Sequence, residues 1–210
     1  MKKYQIILGS GSKYRAEQLR DLGLEFIQIL PDVDEEAFKQ EITDPIVLAL
    51  MLSDVKAESV RQKLSKMPDF SEDTVYLLIA SDQLVEYDGK ILGKPGSHEK
   101  AIEQLLTLSG VEHNLITAVT MLKISGGEVE KKQDAVIQRM QMYKLTRSEI
   151  ENYVESANPV DCAGSYQIEG TGLGLFASIM GEDFTSIKGL PMLKVVQYLR
   201  KFNYPIFTED

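Results

Sequence analysis

The sequence has no tryptophan, a single cysteine and two histidines among its 210 residues. The lone Cys162 excludes an internal disulfide and points to a reducing compartment. It reads as a small buried residue rather than a thiol catalyst. His98 falls at an expected helix start and His113 on an expected strand edge. Neither lies beside a nucleophile motif, so both are expected at the surface, and zinc sites and nucleophilic triads are poor explanations. Basic residues are also short: 23 Lys and Arg against 32 Asp and Glu, a net charge of −9. That balance argues against binding nucleic acid polymers or anionic membranes. No apolar run approaches a membrane span, and the run after Met1-Lys2-Lys3-Tyr4 is too short for a signal-peptide core. A cytoplasmic protein is expected. Neither a P-loop nor a GxGxxG fingerprint is present, which counts against a small-metabolite kinase, as missing metal clusters count against a phosphatase.

What is present is 43% hydrophobic residues, enough for a proper core, with no internal repeat or linker. The apolar run Val75–Ala80 reads as a buried strand ending in Ser81-Asp82-Gln83. Leu84 to Leu92 reads as a hairpin around Asp88-Gly89, followed by Gly93-Lys94-Pro95. A carboxylate at the end of a core strand and a returning lysine suit a phosphorylated substrate; a surface salt bridge explains them equally well.

Before this stretch, Tyr4–Leu8 reads as a strand, Gly9-Ser10-Gly11-Ser12 as a loop, and Lys13 onward as a helix capped by Ser12. Hydroxyls, glycines, Lys13 and Arg15 together favour an anion site at that helix N-terminus. Glu25–Leu30 reads as a second strand. Asp32 to Glu36 reads as a solvated acidic loop or a source of metal-binding oxygens. Asp44-Pro45 opens a long helix on which Lys56 is expected to extend to water. After Pro95 come a helix capped by Ser97, strands over Glu112–Ile124 and Glu128–Leu145, and a helix over Arg147–Ser156 with a Thr146/Glu149 capping box. Asp161–Gly174 is glycine-rich and reads as a bulged hairpin. Phe176–Met180 reads as a strand, Gly189-Leu190-Pro191 begins the last helix, and Asn203–Asp210 is expected to fray. The order predicts a single α/β domain with a mixed, twisted sheet, a long antiparallel hairpin and flanking helices.

With histidine and cysteine chemistry set aside, oxygen-ligand metal chemistry and cations remain. Asp82 with Asp34 and Glu35 could take a divalent metal, Lys13, Arg15, Lys56 and Lys94 could surround a polyphosphate, and Tyr14 could stack on a base.

These residues resemble the Maf family, the septum-formation-inhibitor-like nucleoside triphosphate pyrophosphatases. Leu8 to Arg15 resembles the family's L-A-S-x-S-P-x-R loop, and Pro31-Asp32-Val33-Asp34-Glu35 its acidic segment. Lys56-Ala57 is similar to its helix lysine motif, and Ser81-Asp82-Gln83 and Gly93-Lys94-Pro95 to its central motifs. Cys162 to Gly170 and Gly189-Leu190-Pro191 are similar to its C-terminal segments. The resemblance implies a Maf-like fold, with Asp82 as the catalytic proton acceptor. It implies Ser10, Arg15, Lys56 and Lys94 on the triphosphate, and Glu35 with Asp82 on a divalent cation, Mg²⁺ or Mn²⁺. Tyr14, Gln83 and Glu169 resemble the subgroup acting on 7-methyl-GTP, where the dTTP and UTP enzymes carry Arg, Thr and Gln. A cationic 7-methylguanine ring suits an aromatic face and a carboxylate. Lys13 stands where the family has proline, Gly9 where it has alanine, Val55 where it has glutamate, and Tyr14 where the subgroup has tryptophan. Gln167-Ile168 is similar to the other subgroup's pattern. The alternatives are a dTTP/UTP pyrophosphatase and a non-enzymatic nucleotide-binding regulator of cell division. The oligomeric state stays open, a homodimer included.

Overall fold

The computed structural model describes residues 3–207. Seven strands form one mixed sheet: β1 (Lys3–Leu8), β2 (Phe26–Gln28), β3 (Thr74–Tyr87), β4 (Lys90–Leu92), β5 (Glu112–Ser125), β6 (Glu128–Met142) and β7 (Phe176–Gly181). The order is β2-β1-β3-β5-β6-β7, with β4 pairing β3. β1 is parallel to β2 and β3; the other pairings are antiparallel. The expected α/β class, mixed sheet and long hairpin are all present, the last as β5–β6 turning at Gly126-Gly127.

The helices are α1 (Lys13–Asp21), α2 (Glu35–Glu41), α3 (Pro45–Leu64), α4 (His98–Leu108), α5 (Arg147–Ala157) and α6 (Met192–Lys201). The side chains of β3 alternate between two differently covered faces. Tyr76, Leu78, Ala80 and Leu84 pack toward α3. Val75, Leu77 and Ile79 pack with α1 and α6, and Val85 with α4 and α5. Leu77, Leu78 and Ile79 are completely buried, each contributing about 1.5–3 kcal/mol of apolar burial. Among the described residues no helix is long and apolar enough to cross a membrane.

Several local expectations are corrected. The polar cluster Ser81-Asp82-Gln83 does not end the strand. β5 pairs with β3 continuously from Tyr76 to Glu86, so Asp82 sits mid-strand. The acidic run is not all loop: Asp34 caps α2 by accepting the Glu36 N–H, and Phe38 packs toward α3. Asp161–Gly174 forms not a hairpin but two 3-10 turns, Ala163–Ser165 and Gly170–Leu175. A third 3-10 turn, Phe184–Lys188, had no sequence signal. His113 is buried, not superficial. It points into the cluster beneath α4 and α5, near Tyr166 and Phe176, and burial pushes its pKa down to about 4. Cys162 is half-buried. The C-terminal segment does not fray directly after α6: Tyr204 meets Tyr4 edge-on and Ile206 joins the core. Met1, Lys2 and residues 208–210 of the expected strand entry and tail lie outside the described residues.

Candidate active site

The site begins with a gap in strand pairing. β1 ends with Leu8 opposite Ile79, and the Gly9 N–H donates to the Ile79 carbonyl at 2.8 Å. β4 pairs with β3 only over Val85–Tyr87. Between these partners, the edge of Ala80–Leu84 has no strand neighbour among the described residues. The Gly9–Ser12 loop leaves from one end of this gap. Gly93-Lys94-Pro95 follows β4 at the other, and Asp82 lies between them.

Three elements bring charge to this point. Lys56 from α3 reaches Asp82 Oδ1 on β3 at 2.5 Å and Glu35 Oε1 on α2 at 2.8 Å. Far from extending to water, Lys56 is only 9% exposed, and Asp82 only 5%. The two carboxylates supply what a buried ammonium needs. Asp82 Oδ2 is buried with no hydrogen-bond partner, an unusual state for a carboxylate oxygen. Burial pushes the Asp82 carboxyl above its ordinary pKa, Lys56 and Arg15 oppose the rise, and Glu35 adds to it. Partial burial also pushes Glu35 upward, but Lys56, Lys39 and Lys94 outweigh it and hold its carboxyl below the usual range.

Arg15 lies one turn into α1, whose N-cap Ser12 accepts the Arg15 N–H. Its Nη1 donates to Ser10 Oγ at 3.1 Å and to the Ser81 carbonyl at 2.8 Å; its Nε donates to the Gly189 carbonyl at 3.0 Å. Gly189 has φ of +114°, and a Cβ there would sit 3.0 Å from Arg15 Nε, so this approach favours glycine. Burial lowers the Arg15 pKa while Asp82 and Glu35 oppose the fall; the guanidinium stays cationic. Lys94 is exposed, and its charge acts on both Glu35 and the Cys162 thiol.

The opposite face of β3 carries different chemistry. Gln83 Nε2 donates to Thr117 Oγ1 at 3.0 Å and to the Ser186 and Ile187 carbonyls at 2.9 and 3.2 Å. Its amide nitrogen therefore anchors the Phe184–Lys188 turn, and its carbonyl oxygen takes no part in these hydrogen bonds. The Tyr14 hydroxyl donates to Gln167 Oε1 at 2.8 Å, and Lys13 Nζ lies 4.9 Å from the Tyr14 ring centroid. Glu169 Oε1 is buried without a partner. Burial pushes the Tyr153 hydroxyl up to about 12, with Cys162, Tyr14 and Glu169 contributing, so these groups share one environment.

The structure thus joins Asp82, Lys56 and Glu35 directly, sets Arg15 and Ser10 beside them, and keeps Lys94 within electrostatic range. Tyr14, Gln83 and Glu169 occupy the other side and make no direct hydrogen bond to one another. Among the described residues, no group of three or more His, Cys, Asp or Glu is arranged to hold a metal; Asp82 and Glu35 are the pair that share Lys56. Sequence reasoning missed Gln104 and Tyr153. Gln104 donates to the Gly93 carbonyl and accepts from Ser165 Oγ, tying the Lys94 turn to the Cys162–Ser165 segment. Tyr153 accepts the Gln167 N–H. Such long-range amide and hydroxyl contacts leave no local signature.

A family model described as Maf-like protein matches residues 5–202. A 7-methyl-GTP pyrophosphatase of Bdellovibrio bacteriovorus is 42% identical over 97% of this chain and 100% of its own. One from Idiomarina loihiensis is 37% identical over 98% of both chains. A dTTP/UTP pyrophosphatase of Symbiobacterium thermophilum is 35% identical over 97% of both. The extent of these matches and their identity show that the chain belongs to the Maf-like protein family.

Proposed function

We propose that the protein hydrolyses a nucleoside triphosphate, preferentially 7-methyl-GTP, to the nucleoside monophosphate and pyrophosphate. The observation that carries the reaction is the Asp82–Lys56–Glu35 cluster, with Asp82 and Lys56 buried, beside the N-terminus of α1 and Arg15. Water attacks at the α–β anhydride and that P–O bond breaks. Its electron pair leaves on pyrophosphate, and the water proton passes to the Asp82 carboxylate. Ser10, Arg15, Lys56 and Lys94 bind the triphosphate and stabilise the charge that develops on it.

Glu35 and Asp82 fit a divalent cation such as Mg²⁺ or Mn²⁺. Both are hard oxygen donors, and one Asp82 oxygen is buried without a partner. Phosphate oxygens and water would complete the set, since Mg²⁺ commonly uses one or two carboxylates with substrate phosphates. When bound, the cation supplies charge neutralisation on the anhydride oxygens.

Tyr14 offers an aromatic face and Glu169 a buried carboxylate oxygen, a combination suited to a cationic purine with N–H donors. The second reading is a dTTP/UTP pyrophosphatase. It is favoured by Lys13, which already places a cation on the Tyr14 ring, and by the relative of that name. A panel of nucleoside triphosphates with Mg²⁺ or Mn²⁺ and product identification tests both. Pyrophosphate release with fastest turnover of 7-methyl-GTP is expected, and Asp82→Asn should lose that turnover. Release of single phosphates, or full activity in the variant, would overturn the mechanism; preference for dTTP or UTP would overturn only the base assignment.

A further inference from the structure

Tyr14 is half-buried and its hydroxyl needs an acceptor. Gln167 supplies one at 2.8 Å across 153 residues of sequence separation. Gln167 is itself held at several points. Its backbone N–H donates to the Tyr153 hydroxyl at 3.0 Å and its Nε2 to the Ala157 carbonyl at 3.4 Å. Its carbonyl lies against Gly172 so closely that a Cβ there would fall 1.5 Å from the oxygen. Tyr153 is in turn buried in the cluster beneath α4 and α5. A chain of contacts thus runs from the rigid core through Tyr153 and Gln167 to the Tyr14 ring. Glu169, with its unpartnered buried oxygen, lies two residues beyond Gln167 on the same braced segment.

We infer that Gln167 is a positioning residue that fixes the Tyr14 ring for the nucleobase, with Tyr153 fixing Gln167. This rests on the assignment of Tyr14 to base binding above. A tyrosine at this position requires an acceptor that a phenylalanine would not, and Gln167 provides it. Gln167 touches no reacting atom in this scheme, and its side-chain oxygen acts through the Tyr14 hydroxyl. The remaining Gln167 contacts hold the segment that carries Glu169, which gives the base pocket one common brace.

A double-mutant cycle tests this with Tyr14→Phe, Gln167→Met and the pair, on whichever triphosphate the wild-type protein turns over fastest. Each single substitution is expected to raise KM about fivefold with kcat within twofold, as for loss of one hydrogen bond. The double variant should be no worse than the worse single one. Inorganic tripolyphosphate, which has no base, should inhibit all four proteins with the same Ki. Multiplying KM effects in the double variant, a fall in kcat with KM unchanged, or an equal rise in the tripolyphosphate Ki would overturn the inference. Gln167→Glu, which keeps an acceptor, should restore KM toward wild type in thermally stable protein; failure to do so would also count against it. A wild-type preference for dTTP or UTP would overturn the base assignment while leaving this cycle interpretable.

Discussion

Asp82 and Gln83 are sequence neighbours that face opposite sides of one strand, and the two sides are built differently. On the Asp82 side, regular elements do the work: α3 delivers Lys56, the first residue of α2 delivers Glu35, and β3 holds the carboxylate. On the Gln83 side, irregular backbone does it. Two 3-10 turns and the loop leading to α6 carry Glu169, Ser186 and Gly189; the Gln83 and Gln138 amides hold Ser186, and Arg15 and Ser81 hold the Gly189 carbonyl. Long charged side chains on rigid helices suit phosphate charge, which is common to every nucleotide. A base differs from one nucleotide to the next, and a set of turns can change locally without disturbing the core.

If that division is real, substitutions on the two sides should fail in different kinetic terms. Asp82→Asn should lower kcat by about 10³-fold, within the usual range for a lost general base, and leave the ranking of nucleotides unchanged. Lys56→Met removes the cation that pairs two carboxylates, one of them buried. Breaking a buried pair costs about 3 kcal/mol, or a fall in melting temperature of about 10 °C for a chain of this size. Added Mg²⁺ or Mn²⁺ should recover part of that fall in the variant more than in wild type, because a bound cation replaces the ammonium. An unchanged melting temperature would mean that Lys56 does not hold the carboxylates together in solution. Glu169→Gln should instead change the preference between 7-methyl-GTP and UTP by about tenfold, the scale of one charged hydrogen bond, with kcat on the better substrate nearly intact. Equal loss on every nucleotide would dissolve the distinction between the two sides.

The same contrast explains what the sequence disclosed. The Asp88-Gly89 turn, the Ser12 and Ser97 caps and the Thr146/Glu149 capping box are local signals, and each marks its element. Lys56 was visible as a residue but not as a buried ion pair, because its partners lie 26 positions ahead on β3 and on a helix hidden in an acidic run. Polar Ser81-Asp82-Gln83 resembled a strand end because alternation shows which residues change face, not which partners satisfy them. In the folded chain Gly189, Lys56 and Thr117 each take one polar contact from Ser81, Asp82 and Gln83 respectively, so the strand continues. In Asp161–Gly174 the positive φ of Gly164 and Gly170 falls on glycines, but Ser165 adopts φ of +63° with no glycine to announce it. The close approach of the Gln167 carbonyl to Gly172, at the second 3-10 turn, has no counterpart in the spacing of the glycines.

The smallest effect probes the Tyr14 ring from its other face. Lys13 Nζ already lies 4.9 Å from the ring centroid. A base stacked on the opposite side would sit roughly 3.5 Å from the ring, so a cationic 7-methylguanine would be about 8 Å from the ammonium. In water two like charges at that distance repel by about 0.5 kcal/mol, roughly a twofold effect. Lys13 also attracts the triphosphate, so Lys13→Ala should raise KM for every nucleotide. The informative quantity is therefore a ratio. KM for 7-methyl-GTP relative to GTP, which differs by one methyl group and one charge, should fall about twofold in the variant. The change should shrink as salt is raised, because Lys13 is exposed and its field is screened within about 10 Å at 0.1 M ionic strength. A ratio that stays constant at low salt would place the base away from Tyr14, and base reading would then rest on Glu169 and the carbonyl oxygen of Gln83.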